Sequence, residues 1–269
     1  MTPVVKLSSP ATAEFWEIPI LYEDAEVLAL NKPSGLRVSP DRNEPELPSL
    51  MKLLHRDIER GALWARERGI QYLINTHRLD AEASGVIVLA KTKRALTELA
   101  SQFGSEPPAS LFVALARGET AESTFTCEAP LAAHPARPGF FRVDTKDGKK
   151  SRTDFAVRET FSDYLLLECR PLIARPFQVR AHLKHLRLPV VGDETYGSAA
   201  LWLSTLKTNY RLKPGREEKP LIARAAIHAE QITVRQWDSG QTVVIRAPWP
   251  KDLTVAVKYL RRYGVRATR

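Results

Sequence analysis

The stretch THRLDAEASGVIVLAK, residues 76–91, combines charged residues, a turn and an apolar run. The run after the Ser-Gly turn predicts a buried strand over residues 86–90. Arg78 and Asp80 stand two positions apart, so in an extended chain they share one face while Leu79 points the other way. A carboxylate at the mouth of a sheet is a natural nucleophile or base, and a guanidinium partner keeps it ionised. An isolated Arg-x-Asp is more often a surface ion pair, so other segments must decide.

The composition predicts a cytoplasmic protein with a substantial core. The chain has 269 residues, of which 43% are hydrophobic. It contains no apolar run of membrane-span length and begins without an apolar segment of signal-peptide length. We therefore expect no membrane partner.

The cysteines and histidines predict neither a disulfide nor a metal site. Cys127 and Cys169 are the only cysteines, and both lie in strand-like runs, which favours buried free thiols. Among the histidines only His182 and His185 have a spacing that resembles a ligand pair, and their helix looks structural.

The net charge of +9 favours a polyanionic partner. One basic cluster surrounds an Asp-Gly turn, a second is interleaved with Trp202 and Tyr210, and a third ends the chain. Basic residues next to aromatic rings suit phosphate neutralisation with base stacking, whereas we interpret the third cluster as a solvated face. The clusters are Lys146, Lys149, Lys150 and Arg152; Lys207, Arg211, Lys213, Arg216 and Lys219; and Lys258, Arg261, Arg262, Arg266 and Arg269.

The order of strand and helix patterns predicts an α+β fold with a mostly antiparallel mixed sheet and flanking helices. Predicted strands cover residues 27–30, 72–76, 86–90, 111–116, 140–143, 153–158, 165–169, 226–234 and 243–246. Predicted helices cover residues 50–67, 94–103, 178–187 and 253–263, with Ser49 and Thr92 as caps and Gly264 as a terminator.

Four motifs occur in an order that identifies a family. They are VLALNKPSG at residues 27–35, HRLDAEASG at 77–85, RPFQVRAHL at 175–183 and PVVGDETYG at 189–197. They resemble the NKPxG, HRLDxxTSG, GRTHQIRxHL and PxxGDxxYG motifs of the RluA-type family of pseudouridine synthases. The resemblance runs from about residue 21 to about residue 250, and four ordered motifs make a specific signal.

The resemblance implies one catalytic domain with a central cleft over residues 21–269, preceded by an N-terminal extension over residues 1–20. That extension leaves no room for the small RNA-binding domain of the S4 type that often precedes the catalytic domain. RNA recognition would then fall to the inserts at residues 41–69 and 199–220. The family isomerises uridine in RNA to pseudouridine without a metal or cofactor. We therefore expect ribosomal or transfer RNA as the partner. We also expect the protein to be a monomer.

The motifs also assign roles to individual residues. Asp80 matches the essential aspartate, which acts as nucleophile or base at the sugar, and Arg180 is expected to keep it ionised. Arg78 matches the arginine that fills the gap left by the flipped nucleotide. Phe112 is the ring expected beneath the uracil. Further RNA contacts are expected from His77, Arg175, Gln178, Lys149, Lys150 and Arg152.

The chain departs from the family pattern at three places. Ser110-Leu111-Phe112 replaces the K-x-Y strand, so the stacking ring remains while the tyrosine hydroxyl is lost. Residues 173–180, IARPFQVR, lack the Gly, Thr and His of TGRTHQIR, and Ala83 replaces the Thr before Ser-Gly. These changes indicate a divergent subfamily with altered loop contacts, and they bear on the RNA target more than on the reaction.

Two other functions compete with this interpretation. A retaining N-glycosidase also places an aspartate at C1′, but it needs a second carboxylate about 5 Å away, for which Glu82 is the near candidate in sequence. An impaired synthase that binds or folds RNA is favoured by the replacements at Phe112 and Phe177 and opposed by Arg78, Asp80 and Arg180.

Overall fold

The structure, a computed structural model, describes residues 3–41, 44–105, 110–137, 139–172, 175–212 and 215–264. Ile173 and Ala174, which precede the third motif, and Lys213, Arg266 and Arg269 of the basic clusters lie outside these ranges. The chain forms two compact units. Unit 1 is Met1–Ser110 with Ala229–Pro248, and unit 2 is Leu111–His228 with Trp249–Arg269.

The described residues contain thirteen strands and six α-helices, with a short 3-10 turn at Glu194–Tyr196. In chain order they are β1 (Val4–Ser9), β2 (Glu14–Glu23), β3 (Val27–Lys32), α1 (Leu50–Glu59), α2 (Leu63–Arg66), β4 (Ile74–Asn75), β5 (Ser84–Ala90), α3 (Lys93–Ser105), β6 (Ser110–Arg117), β7 (Thr124–Cys127), β8 (Leu131–Ala133), β9 (Phe141–Val143), β10 (Thr153–Thr160), β11 (Tyr164–Pro171), α4 (Gln178–His185), α5 (Leu203–Leu206), β12 (Ile227–Arg235), β13 (Thr242–Arg246) and α6 (Lys251–Tyr263).

Unit 1 is a sheet in the order β1-β2-β3-β5-β12, with β4 beside β5 and β13 beside β12. The pairs β1–β2, β2–β3 and β3–β5 are antiparallel, as is the β12–β13 hairpin. All seven residues of β5 are buried, and α3 packs one face of the sheet through Ala95 and Leu99. The buried strand predicted from the opening motif is therefore confirmed and lies inside the unit.

The N-terminal residues are part of this sheet. Val5, Leu7 and Ile18 are buried on β1 and β2, and β2 pairs with β3. These strands cover most of the N-terminal extension predicted over residues 1–20, and their alternating apolar residues pack onto the core, while the domain boundary at residue 21 stays a prediction. That residues 21–269 act as one domain stays a prediction.

Unit 2 has the strand order β6-β11-β10-β7, with antiparallel pairing throughout. Strands β8 and β9 form a separate two-stranded sheet. Phe112 of β6 stands opposite Cys169 of β11, and Cys169 and Cys127 are buried free thiols, as predicted. The fold class, α+β with a mostly antiparallel sheet, is confirmed.

The helices differ from prediction mainly at their ends. The single helix expected over residues 50–67 is divided into two, α1 and α2, because Gly61 between them has φ +65°. The predicted caps are present, since Ser49 Oγ accepts from Lys52 N at 3.3 Å and Thr92 Oγ1 accepts from Ala95 N at 3.0 Å. Helix α4 ends at His185, and Arg187 beyond it has φ +62°.

Two features bear on partners. None of the helices within the described ranges is both long and apolar enough to cross a membrane. Over the same residues, no three His, Cys, Asp or Glu side chains are grouped to hold a metal ion.

Candidate active site

A buried lysine fixes the loop that carries Asp80. The Lys32 ammonium is fully buried and donates to the carbonyl oxygens of Leu36 at 2.7 Å, Pro33 at 2.8 Å and Ala81 at 3.2 Å. A buried ammonium is tolerated only when its protons have acceptors. Lys32 therefore ties the loop after β3 to the loop before β5, one residue from Asp80.

Two further bonds join these loops. Gly35 N donates to Ala81 O at 2.8 Å, and Ser34 Oγ donates to Glu82 O at 2.6 Å. The NKPSG motif thus serves to hold the two residues that follow Asp80. In the loop itself Arg78 is exposed, Leu79 is buried and Asp80 is half-buried, which agrees with the predicted alternation.

The glycine of the Ser-Gly turn is required by geometry. Gly85 has φ +117°, and a Cβ at this position would lie 2.2 Å from Ala229 O of β12. No other residue allows both the backbone angle and this close approach. The turn therefore starts β5 in a fixed place and fixes the exit of the Asp80 loop.

The His77 ring makes a hydrogen bond and a stacking contact within unit 1. Its Nε2 accepts from Val88 N at 3.0 Å, and its ring stacks on Phe103 with centroids 4.9 Å apart. Burial lowers the pKa of His77 to about 4, so the ring is neutral at pH 7. This geometry gives His77 a role in holding the loop; its predicted contact with RNA stays a prediction.

In unit 2, Arg180 forms a buried bidentate ion pair with Asp193. Nε lies 2.7 Å from Oδ2 and Nη2 lies 2.8 Å from Oδ1, and both side chains are at most 1% exposed. Asp193 Oδ1 also accepts from Tyr196 N at 3.3 Å, which caps the 3-10 turn. The carboxylate thus orients the Arg180 guanidinium, while the predicted pairing of Arg180 with Asp80 stays a prediction.

Aromatic rings surround the same guanidinium. Arg180 Cζ lies 5.1 Å from the Phe177 ring centroid and 5.4 Å from the Tyr196 centroid, distances typical of cation–π contact. Phe177, which replaces the family histidine, has φ +58° at the start of α4. Phe140 and Phe141 pack against it at 5.5 Å and 6.4 Å. The replacement therefore converts a polar position into part of an aromatic cluster.

A chain of buried hydrogen bonds fixes the first turn of α4. Gln178 Nε2 donates to Thr153 Oγ1 at 3.1 Å and to Arg152 O at 2.9 Å. Thr153 Oγ1 lies 2.9 Å from His182 Nδ1, and His182 Nε2 lies 2.8 Å from Ala129 O. Burial lowers the pKa of His182, so the neutral ring accepts from Thr153 and donates to Ala129. Gln178 is 3% exposed, so its predicted RNA contact has no support in this geometry and stays a prediction.

Arg175 links α4 to the basic turn. Its Nε donates to Lys150 O at 3.0 Å, and its backbone N donates to Gln178 Oε1 at 3.1 Å. Lys149 and Lys150 are exposed, as is Arg152, which pairs with Glu128 at 2.7 Å and with Asp154 at 3.0 Å. The backbone of the basic turn is therefore held beside α4, and the side chains of Lys149 and Lys150 are exposed.

Phe112 is half-buried on β6, between the fully buried Val113 and the buried Leu111. It lies outside the buried core of unit 2, although Ala114 and Ala116 on its own face are fully buried. A partly exposed ring on a rigid strand can present a face to a planar ligand. Its stacking on uracil stays a prediction.

The predicted site residues fall into two groups. Unit 1 brings His77, Arg78 and Asp80 together in one loop. Unit 2 brings Arg175, Gln178 and Arg180 together on or beside α4 with the basic turn, and holds Phe112 on β6. Sequence reasoning gave no role to Lys32, Asp193 and Tyr196, although all three lie in the recognised motifs. Their position in those motifs was the signal that could have found them.

Comparisons with known proteins show which family this chain resembles and which fold it shares. The family model described as RNA pseudouridylate synthase matches residues 26–185. A Xanthomonas campestris protein named ribosomal large subunit pseudouridine synthase D is 33% identical over 98% of this chain and 76% of that protein. An Escherichia coli protein named dual-specificity RNA pseudouridine synthase RluA is 30% identical over 85% of this chain and 92% of that protein. The solved structure of human RNA pseudouridylate synthase domain containing 4 has the same fold, with a TM-score of 0.66 at 19% identity over 90% of this chain and 92% of that one.

Proposed function

The chain belongs to the RluA-type family of RNA pseudouridine synthases, and we propose that it isomerises a specific uridine of ribosomal or transfer RNA through Asp80. The observation that carries this proposal is the clamp on the Asp80 loop, in which Lys32, Ser34 and Gly35 hold the backbone of residues 81–82. A carboxylate on a loop fixed in this way is pre-organised for attack or proton transfer at the sugar.

The reaction conserves all atoms of the nucleoside. The N1–C1′ bond of uridine breaks, the freed uracil turns, a C5–C1′ bond forms, and the C5 proton leaves the base while N1 gains one. Substrate and product are isomers, so the reaction needs no oxidant, reductant or other co-substrate. The protein must extrude the base, act at C1′, and hold the uracil until it is rejoined.

We assign these tasks to residues of the recognised motifs and of β6. The exposed Arg78 occupies the gap in the RNA after extrusion, which offsets part of the few kcal/mol that flipping costs. Phe112 supports the uracil face. Asp193 orients the guanidinium of Arg180, which is the residue that we propose favours the ionised form of the Asp80 carboxyl.

We also propose the nature of the substrate and the state of the enzyme. The names of the relatives refer to the large ribosomal subunit and to dual specificity, which supports ribosomal or transfer RNA as the substrate class. The exposed side chains of Lys149, Lys150 and Arg152 favour contact with its phosphates. We propose that the protein acts as a monomer in the cytoplasm, where both RNA classes are found.

The alternative is a synthase-like protein that only binds or folds RNA. The loss of the family tyrosine at Phe112 and of the family histidine at Phe177 favours it. Against it stand the fixed Asp80 loop and the buried Arg180–Asp193 pair, since an RNA-binding surface requires neither.

The test uses total RNA from a strain that lacks this protein. The purified chain is added without metal or cofactor, pseudouridine positions are mapped by carbodiimide labelling and primer extension, and free uracil is measured by liquid chromatography. We expect new pseudouridine at one position with no free uracil. Release of free uracil would indicate a glycosidase, and unchanged RNA that is nevertheless bound would favour the RNA-binding alternative.

A further inference from the structure

A pocket of about 400 Å³ lies in unit 2, within the roughly 300–1,000 Å³ range of small-ligand sites. It is formed by the end of β6, the turn between β10 and β11, residues 199–206 and the end of α6. None of its lining residues was assigned to the reaction above. Its walls include three aromatic side chains, those of Tyr164, Trp202 and Tyr263.

Hydrogen bonds fix the walls of this pocket. Gly118 N donates to Asp163 O at 2.8 Å, and Arg117 pairs with Tyr164 in the β6–β11 ladder. Ser162 N donates to Gly264 O at 2.7 Å, which attaches the turn to the end of α6. The pocket is thus formed by the fold itself and does not depend on a ligand for its shape.

Its chemistry combines aromatic faces with cations. Tyr164, Trp202 and Tyr263 are each half-buried, so part of each ring is available to a ligand. Burial raises the pKa of Tyr164, which keeps its phenol neutral. Lys207 Nζ lies 5.8 Å and Arg262 Cζ 5.3 Å from the Tyr263 ring centroid, and Arg117 lines the wall. Proteins that bind single-stranded nucleic acids use aromatic rings to stack on the bases and nearby cations to contact the phosphates.

We propose that this pocket, which we call the Trp202 pocket, binds one unpaired nucleobase of the substrate RNA other than the target uracil. The inference rests on the proposed function, because it makes RNA the ligand of unit 2. Charge decides the class of occupant. Arg117 and Asp163 line the pocket, and Lys207 and Arg262 lie over the Tyr263 ring, so among these described residues the cations outnumber the one carboxylate and suit the phosphates next to a stacked base.

The Trp202 pocket adjoins the loop that orients Arg180. Ala199, which lines the pocket, accepts from Gly192 N at 2.9 Å, and Asp193 is the next residue. A base held here therefore fixes the RNA against the segment that carries the Arg180 partner. The insert at residues 199–220 thereby becomes a determinant of which RNA is selected.

The experiment measures RNA binding in an Asp80→Asn background, so that turnover does not interfere. The probe is a fluorescently labelled single-stranded RNA of random sequence, compared with the same backbone carrying no bases, and binding is followed by anisotropy. We expect Trp202→Ala to weaken binding of the base-containing RNA by about fivefold or more and to leave the base-free strand unchanged. Trp202→Phe keeps a ring and should bind nearly as the parent does.

Two variants that each remove one lysine charge provide the matched control. Lys207→Gln and Lys258→Gln each remove one positive charge, but Lys207 lies 5.8 Å from the Tyr263 ring of the pocket, whereas Lys258 is exposed on α6 and is not a lining residue. Only Lys207→Gln should weaken binding, and thermal melting should show each variant folded. Equal affinity of Trp202→Ala and its parent for the base-containing RNA would overturn the proposal. Failure of the proposed function is separate, since it appears as absent pseudouridine in the wild-type protein.

Discussion

Arg180 and Asp193 form a bidentate ion pair that is almost completely buried, with N–O distances of 2.7 Å and 2.8 Å. Removing one partner of such a pair leaves a buried charge without its carboxylate and costs about 3–5 kcal/mol. We therefore predict that Asp193→Ala lowers the free energy of unfolding by about this amount. Urea denaturation with the linear extrapolation measures it.

A second pair in unit 2 serves as the control. Arg224 and Asp252 have the same geometry, with distances of 2.7 Å and 2.9 Å, but their side chains are 19% and 35% exposed. Solvent compensates for the loss of such a pair, so Asp252→Ala should cost about 1 kcal/mol. Equal losses in the two variants would show that burial of Asp193 does not set its importance.

The neutral His77 predicts a pH dependence of stability. Its pKa of about 4 lies below the 6.5 of a free histidine, so between these values the unfolded chain binds a proton that the folded protein does not. Stability from this group is complete above pH 6.5 and is lost as pH falls towards 4, by up to about 3 kcal/mol. We predict that His77→Gln flattens this dependence, as measured by urea unfolding at several pH values.

The control for His77 is His185, which is exposed at the end of α4. His185→Gln should leave the acid side of the stability curve as in the wild type. A His77→Gln protein that loses stability below pH 6.5 as steeply as the wild type would contradict the assignment.

Arg78 is exposed at the tip of the Asp80 loop, where it can enter the space left by a flipped base. We predict that Arg78→Ala slows conversion of a uridine inside a helix, and that activity is partly restored when the same uridine is unpaired, since extrusion then costs less. Single-turnover rates on the two RNAs provide the measurement. An equal loss on both would place Arg78 in the chemistry or in the fold.

Phe112 is half-buried, which favours a ring that supports the uracil over a core residue. Phe112→Ala should cost about 1–3 kcal/mol of transition-state stabilisation in kcat/KM, with a modest loss of stability. Phe112→Tyr should keep or raise activity, because it restores the hydroxyl of the family.

Phe155 provides the comparison for Phe112. It is 3% exposed on β10 in the same unit, so Phe155→Ala should cost about 3–5 kcal/mol of unfolding free energy. If Phe112→Ala loses as much stability as Phe155→Ala and turns over normally at low temperature, Phe112 belongs to the core.

The sequence predicted most strands because their apolar runs are buried on rigid sheets. It missed the short strands β7 and β8, and also β1 and β2. Val5 and Leu7 alternate with polar residues, but Pro3 and Pro10 flank β1 and Pro19 lies inside β2, where a strand normally has no proline. Pro19 nevertheless pairs with Val4 inside the sheet.

The sequence predicted which residues belong to the candidate site better than it predicted which side chains they contact. The motifs located Asp80 and Arg180, but no sequence rule states that Arg180 pairs with Asp193, thirteen residues further on, because this contact depends on how the loop after α4 returns. Gln178 looked like an RNA contact in a basic motif, yet tertiary packing buries it. Burial of a polar side chain is decided by its neighbours in space, which one sequence does not contain.

The central claim is that Asp80 carries out the isomerisation, and release of tritium from RNA labelled at C5 of uridine tests it most directly. Each conversion expels the C5 hydrogen, so the wild-type protein should release tritium into water. Asp80→Asn keeps the shape of the side chain but can neither attack C1′ nor take a proton, so it should release none while binding the RNA about as tightly as the wild type. Tritium release by Asp80→Asn within about tenfold of the wild-type rate would contradict the account.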